Sequence, residues 1–214
     1  MSGLADLLPP QAVCVEARQD EDGSVWAAER GAVAMAVEAR RREFATGRSC
    51  ARRALAALGA PVTAIPRGPR GEPIWPRRVI GSITHCAGYR AAALAWEDRL
   101  AAIGIDAEPN LPLPARVLER IAGRAELGRD RELRAAAGVN WDRLLFSAKE
   151  CVYKAWFPFS SEALTFSDAD VVLGTDGRFC ARLTAARSGA RRGGPLLEGR
   201  WALADGVLVT ALTL

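Results

Sequence analysis

Along this chain the hydrophobic pattern changes from a helical to an alternating period twice, in the same order each time, and that recurrence most constrains the fold. After a short opening strand at Val13 to Ala17, an alanine- and arginine-rich stretch from Glu29 to Leu58 reads as helix. A break near Thr46-Gly47 is expected to start a second helix, and Gly59 ends the run. Three alternating runs follow, Val79 to His85, Arg90 to Trp96 and Leu100 to Ala107, with short links at Ala87-Gly88 and Glu97-Asp98-Arg99 that predict an antiparallel meander.

The second half begins after the Pro109 to Pro114 punctuation. Ala115 to Ala137 reads as a polar helical excursion, and Trp141 to Phe157 as a helix that buries Leu145, Ala148, Val152 and Trp156 on one face. Strands are then expected near Ala169 to Leu173, Arg178 to Leu183, Arg200 to Ala204 and Val207 to Leu212. Ser188 to Pro195 reads as a loop, and Asp205-Gly206 signals a type I′ hairpin. No residue-level repeat accompanies the repeated order.

Composition matters here mainly for what it excludes. The net charge of +4 is a modest excess, suited to an anionic small ligand or an acidic partner protein rather than to tight nucleic-acid binding. No apolar run approaches the ~20 residues a membrane-spanning helix needs, and Met1 to Pro10 lacks the layout of a secretion signal, so a cytoplasmic protein is expected. The five cysteines are scattered without a Cys-x-x-Cys pair, which argues against disulfide staples and structural zinc. Arginine supplies nearly all the positive charge; the only lysines, Lys149 and Lys154, lie six positions of chain from end to end, as if a compact ammonium is wanted there.

Two clusters can carry chemistry. In Ile103-Gly104-Ile105-Asp106-Ala107-Glu108 the isoleucines take one face of a strand and the acids the other, with the carboxylates ~7 Å apart, a spacing that suits one hydrated divalent ion and also fits a solvated turn. In Phe146-Ser147-Ala148-Lys149-Glu150-Cys151-Val152-Tyr153-Lys154, Glu150 and Lys154 stack four residues apart beside the buried face, while Lys149 points well round from Lys154. An intrahelical ion pair would explain Glu150 and Lys154 but not the restricted use of lysine.

Together these segments resemble the two signature motifs of the Sfp-type 4′-phosphopantetheinyl transferases. Gly71-Glu72-Pro73-Ile74-Trp75-Pro76 and Gly81-Ser82-Ile83-Thr84-His85-Cys86 are similar to two further motifs of that family, and all four stand in order. The layout, with Glu43-Phe44-Ala45-Thr46-Gly47-Arg48 and Trp156-Phe157-Pro158, is similar to that of actinobacterial members serving lipid and secondary metabolism. The resemblance implies an α+β fold, a pseudo-dimer of two α/β halves with antiparallel sheets and the active-site cleft between them; the split would fall near Pro109, giving halves 1–108 and 109–214. It implies Mg2+, replaceable by Mn2+, held by Asp106, Glu108 and Glu150 and bridging the pyrophosphate of coenzyme A. Glu150 would act as general base toward the carrier serine, Lys154 would neutralise charge on the α-phosphate, and Lys149 would support the phosphates or the pantetheine arm. His85 would meet the 3′-phosphate, Ser82 and Thr84 belong to the same coenzyme A-binding motif, and Arg40, Arg48, Arg67 and Arg70 would surround the adenosine phosphates.

The partners implied are apo acyl or peptidyl carrier proteins, acidic bundles for which docking near Arg116, Arg120 and Arg124 is expected, and the chain is read as a monomer. Two other readings stand beside this one. A magnesium-dependent nucleotide hydrolase could use the same acids, and a nucleic-acid-binding module would instead interleave arginines with exposed aromatics.

Overall fold

In a computed structural model of the chain, residues 3–21, 23–184 and 196–214 are described. The loop expected at Ser188 to Pro195 lies outside them. The fold is α+β, with two antiparallel sheets. The first has the order β1 (Val13–Ala17), β3 (Tyr89–Trp96), β2 (Val79–Cys86), and α1 (Glu38–Leu58) packs on it. The second runs β4 (Ile103–Pro109), β8 (Val207–Thr213), β7 (Leu196–Ala204), β6 (Arg178–Leu183), β5 (Ala169–Leu173), and is covered by α4 (Trp141–Ser160). Two short helices, α2 (Val117–Ile121) and α3 (Arg124–Leu133), replace the single excursion expected between Ala115 and Ala137.

The helix break expected at Thr46-Gly47 is not there. A 3-10 turn at Ala27–Val33 comes first, and α1 then runs unbroken through both residues. Gly47 lies where α1 passes β2, and an added Cβ there would stand 3.4 Å from Ile83 Cγ2, about van der Waals distance. Thr46 returns its hydroxyl proton to the Arg42 carbonyl at 2.9 Å and accepts the Glu21 N–H at 3.0 Å, so its polar atom is satisfied within the helix and its neighbour.

The expected three-strand meander is corrected as well. β2 and β3 form a hairpin, but β3 takes β1 as its other partner, and β4 crosses to the second sheet to pair with β8. The alanines of β3 explain this. Ala92 and Leu94 face α1, while Ala91, Ala93 and Ala95 face Ile103, Ile105, Val209 and Ala211 of the second sheet, so both faces of β3 are buried between layers. Where β4 passes β2, side chains replace the backbone ladder: the Ser82 hydroxyl accepts the Ile105 N–H at 3.2 Å and Thr84 Oγ1 accepts the Ala107 N–H at 3.0 Å. The two sheets are thus joined through buried hydroxyls directly beneath the acidic motif.

The apolar face expected for α4 is the one it buries, with Leu145, Ala148, Val152 and Trp156 packed against Phe179, Trp201, Leu208 and Leu212. Asp205 and Gly206 both have positive φ, 51° and 77°, as the type I′ turn requires. Among the described residues no helix is long and apolar enough to cross a membrane.

At Gly104, β4 and α4 approach each other backbone to backbone. A Cβ on Gly104 would fall 2.1 Å from the Cys151 carbonyl oxygen and 2.8 Å from the Ala155 nitrogen, both backbone atoms that cannot swing aside. The Cys151 thiol donates to the Gly104 carbonyl across the same contact, at 3.1 Å. Gly104→Ala is therefore expected to push α4 off the sheet and destabilise the fold by about 3 kcal/mol, measurable by urea unfolding.

Candidate active site

The contact at Gly104 brings the two acidic segments together. Asp106, two residues along β4, receives Lys154 Nζ from α4 at 2.6 Å and the Thr84 hydroxyl at 3.2 Å, both on Oδ1. Its other oxygen, Oδ2, is buried without a hydrogen-bond partner. Glu108 is held by Arg143 Nη1 at 2.9 Å, and Arg143 is itself fixed by the carbonyls of Leu111 and Pro112. Glu150 completes the acidic group from α4, and all three carboxylates border one cavity of about 440 Å³.

Four further polar groups of that cavity come from elsewhere in the chain. Arg40 stands on α1 and His85 on β2, while Arg67 and Arg70 belong to a tight hairpin. Gly68 N–H donates to the Glu72 carbonyl at 2.7 Å, Arg67 bridges to Pro73, and Gly71 turns the chain at φ 98°. Arg70 lies over the Phe157 ring at 5.6 Å, which ties the hairpin to the end of α4. Trp75 anchors the loop by donating to the Gly81 carbonyl at 3.0 Å.

The electrostatics follow from burial and crowding. Burial raises the Glu150 pKa, with Lys154 opposing and Asp106 adding to the rise. Burial also raises Glu108, Asp106 pushes the same way, and Arg143 opposes them. For Lys154 burial acts downward, but Asp106 and Glu150 outweigh it and leave the pKa above the ordinary lysine value. Burial, with Arg40 beside it, lowers His85 to about 4, so the ring is neutral at pH 7 and presents a lone pair to the Arg40 guanidinium.

The residues expected from sequence divide into those the cavity collects and those it does not. Asp106, Glu108, Glu150, Lys154, His85, Arg40, Arg67 and Arg70 all line it. Ser82 and Thr84 line it too, with their hydroxyls engaged by β4. Arg48 stands behind it, nearly buried, with Nε donating to the Ile65 carbonyl at 2.8 Å and its guanidinium over Phe44. Burial lowers its pKa to about 10, and Arg52, Arg40 and Arg67 press in the same direction against Glu29.

Lys149, expected to support the phosphates or the pantetheine arm, does not border this cavity: only 4% exposed, its ammonium donates to Glu126 Oε2 at 2.8 Å, the Phe166 carbonyl at 2.6 Å and the Ala169 carbonyl at 2.9 Å, which uses all three protons. Glu126 in turn accepts the N–H groups of Gly123 and Val171, so the pair clasps α3 and β5 to α4. Sequence reasoning also passed over Arg143, Phe146, Tyr153 and Phe157. The signal was present, since 143, 146, 150, 153, 154 and 157 form a second stripe on α4 at helical spacing.

The donor set suits a hard divalent cation in type. Asp106 Oδ2 is a buried carboxylate oxygen with nothing to bind, and the neighbouring acids offer only oxygen. As the side chains stand, no three His, Cys, Asp or Glu groups among the described residues converge into a closed metal cluster. Lys154 and Arg143 take up charge on Asp106 and Glu108 instead.

Comparison with known proteins identifies the family. The 4′-phosphopantetheinyl transferase N-terminal domain matches residues 28–95, and the 4′-phosphopantetheinyl transferase superfamily matches residues 102–204. The chain belongs to the 4′-phosphopantetheinyl transferase superfamily. It is 44% identical to the 4′-phosphopantetheinyl transferase Npt of Nocardia iowensis over 90% of each chain, and 44% identical to PptT of Mycobacterium tuberculosis over 85% of this chain and 82% of that one. To Svp of Streptomyces mobaraensis it is 45% identical over 98% of this chain and 88% of that one.

The buried clasp gives a test of its own. Lys149→Met leaves Glu126 charged, buried and without its cation, so it is expected to cost about 3–5 kcal/mol in urea unfolding. Lys149→Met combined with Glu126→Gln should recover part of that loss.

Proposed function

We propose that this chain transfers the 4′-phosphopantetheine group of coenzyme A to a serine of an apo acyl or peptidyl carrier protein, releasing 3′,5′-ADP. What carries the proposal is one cavity, in a chain of this superfamily, bordered both by Asp106, Glu108 and Glu150 and by Arg40, Arg67, Arg70 and His85, with Lys154 bonded to Asp106. A ligand with separated phosphates and a reacting pyrophosphate needs such a mixed lining, with cations for the phosphates and acids for a metal and a proton.

Asp106, Glu108 and Glu150 would hold Mg2+, or Mn2+ in its place, and the bound ion would offset negative charge on the pyrophosphate. Glu150 would take the proton of the carrier serine, directly or through water; it borders the cavity from α4, one turn before Lys154. The serine oxygen then forms a bond to the phosphorus on the pantetheine side, and the bond from that phosphorus to the oxygen of the α-phosphate breaks. Lys154 would neutralise the α-phosphate as 3′,5′-ADP leaves, a task for which its raised pKa keeps it charged. His85 and Arg40 would receive the 3′-phosphate, and Arg67 and Arg70 the other adenosine phosphates; Arg48, Ser82 and Thr84 would act through the positions of their neighbours. The reading includes a pseudo-dimer of halves 1–108 and 109–214, and a monomer working in the cytoplasm without nucleic acid or membrane.

Incubation with coenzyme A, Mg2+ and several apo-carrier proteins should add one phosphopantetheine mass to at least one carrier. Glu150→Gln should abolish that addition while the far-ultraviolet spectrum is unchanged; retained transfer would remove Glu150 from the mechanism, and loss of dependence on Mg2+ would remove the metal. For docking, Arg116, Arg120 and Arg124 are exposed and carry no ion pair among the described residues, which leaves them available to an acidic carrier. Their replacement by glutamate is expected to raise the KM for carrier protein about tenfold or more and to leave coenzyme A affinity unchanged. Weakened coenzyme A binding would overturn that placement.

A further inference from the structure

Behind the cationic wall of the cavity lies a carboxylate that the mechanism does not use. Glu43 stands one turn beyond Arg40 on α1 and does not border the cavity, whereas Arg40 and His85 do. Its Oε2 accepts Arg40 Nη1 at 3.1 Å, and its Oε1 accepts Arg90 Nη2 at 3.5 Å. The same Arg40 Nη1 reaches both ring nitrogens of His85, and His85 Nδ1 stands 3.8 Å from Glu43.

Arg90 gives this arrangement its rigidity. Only 7% of its side chain is exposed, and it is pinned by Asp20 at 2.7 Å and by the Cys86 carbonyl at 2.8 Å, beside His85 across the β2–β3 ladder. Arg40, by contrast, is 44% exposed and has no other carboxylate partner among the described residues, so without Glu43 its long side chain would sample many rotamers. A neutral His85 cannot hold Arg40 by charge. The ordered element is therefore the chain Asp20, Arg90, Glu43, Arg40, His85, with its cavity end a guanidinium and an imidazole fixed side by side.

We propose that Glu43 is a positioning residue that sets selectivity for a donor bearing the 3′-phosphate, by holding Arg40 against His85 from the side away from the ligand. The proposal rests on the reading that Arg40 and His85 face that phosphate. A bond from a fixed guanidinium to a phosphate gains more than one from a mobile side chain, because the rotamer entropy has already been lost. A carboxylate in direct competition with the phosphate would act in the opposite direction.

The test compares calorimetric Kd values for coenzyme A and for 3′-dephosphocoenzyme A, which lacks only that phosphate, in the full-length protein. The wild-type preference for coenzyme A is expected to fall about tenfold in Glu43→Ala, with the Kd for the dephospho form within twofold of wild type, and to fall at least as far in His85→Ala. Glu43→Gln, isosteric and able to keep one hydrogen bond, should lose less and serves if the alanine variant does not fold. A wild-type preference in Glu43→Ala beside a collapsed one in His85→Ala overturns the role of Glu43 alone. An unmoved preference in both overturns the phosphate reading and the proposal with it, and tighter coenzyme A binding in Glu43→Ala makes Glu43 a competitor and overturns the proposal.

Discussion

The side-chain-free crossing of α4 over β4 at Gly104 fixes the distance across which the charged groups of the helix and the strand meet in the site. With a backbone-to-backbone approach this short, Lys154 on the helix reaches Asp106 on the strand at 2.6 Å, and Glu150 one turn earlier faces the same cavity. Any larger residue at 104 would separate the two elements by more than a hydrogen bond can span. The buried pair Ser147 and Thr210, 3.0 Å apart, repeats the same closeness between α4 and β8 one strand over.

Around that crossing the molecule solves two electrostatic problems with different residues. Burial, with the charge of Asp106 adding to it, raises both Glu108 and Glu150, against Arg143 at the first and Lys154 at the second, while Lys154 also pairs with Asp106. On the facing wall, burial and the neighbouring arginines together depress Arg48, and buried Glu29 answers from behind: it receives Arg52 at 2.9 Å and the Ile65 N–H at 2.9 Å, which also secures the entry to the hairpin carrying Arg67 and Arg70. Arg40 and Glu108 therefore face the cavity with counter-ions, Glu43 and Arg143, that lie outside its lining, while Asp106 and Lys154 pair within it. A larger recess of about 680 Å³ on the outer face of the second sheet, around Val172, Cys180 and Arg200, contains none of this constellation.

Much of the site was legible because helical period and strand alternation are local. The four apolar positions of α4 and the offset of Lys154 from Lys149 follow from 3.6 residues per turn, and both appear in the structure. What Lys149 does was not legible, since its partner Glu126 and the Phe166 and Ala169 carbonyls are set 17 to 23 residues away by packing rather than by spacing. The same holds for the third expected strand. Nothing local distinguishes a meander from a strand that leaves for β8, because Asp106 finds its ladder partner at Thr210, at the far end of the chain.

The amino-acid sequence by itself determined the succession of helices and strands, the family motifs and the identity of the acids, the histidine and the lysines that could carry chemistry. Those properties are encoded within a few residues of each other, in periodicity and in side-chain type. Tertiary structure alone decided that Lys154 enters the cavity while Lys149 becomes a structural clasp, that Ser82 and Thr84 join two sheets, and that Glu43 backs Arg40. Each of those outcomes depends on which distant groups a folded core forces together, where a buried charge must find a partner and a buried amide an acceptor.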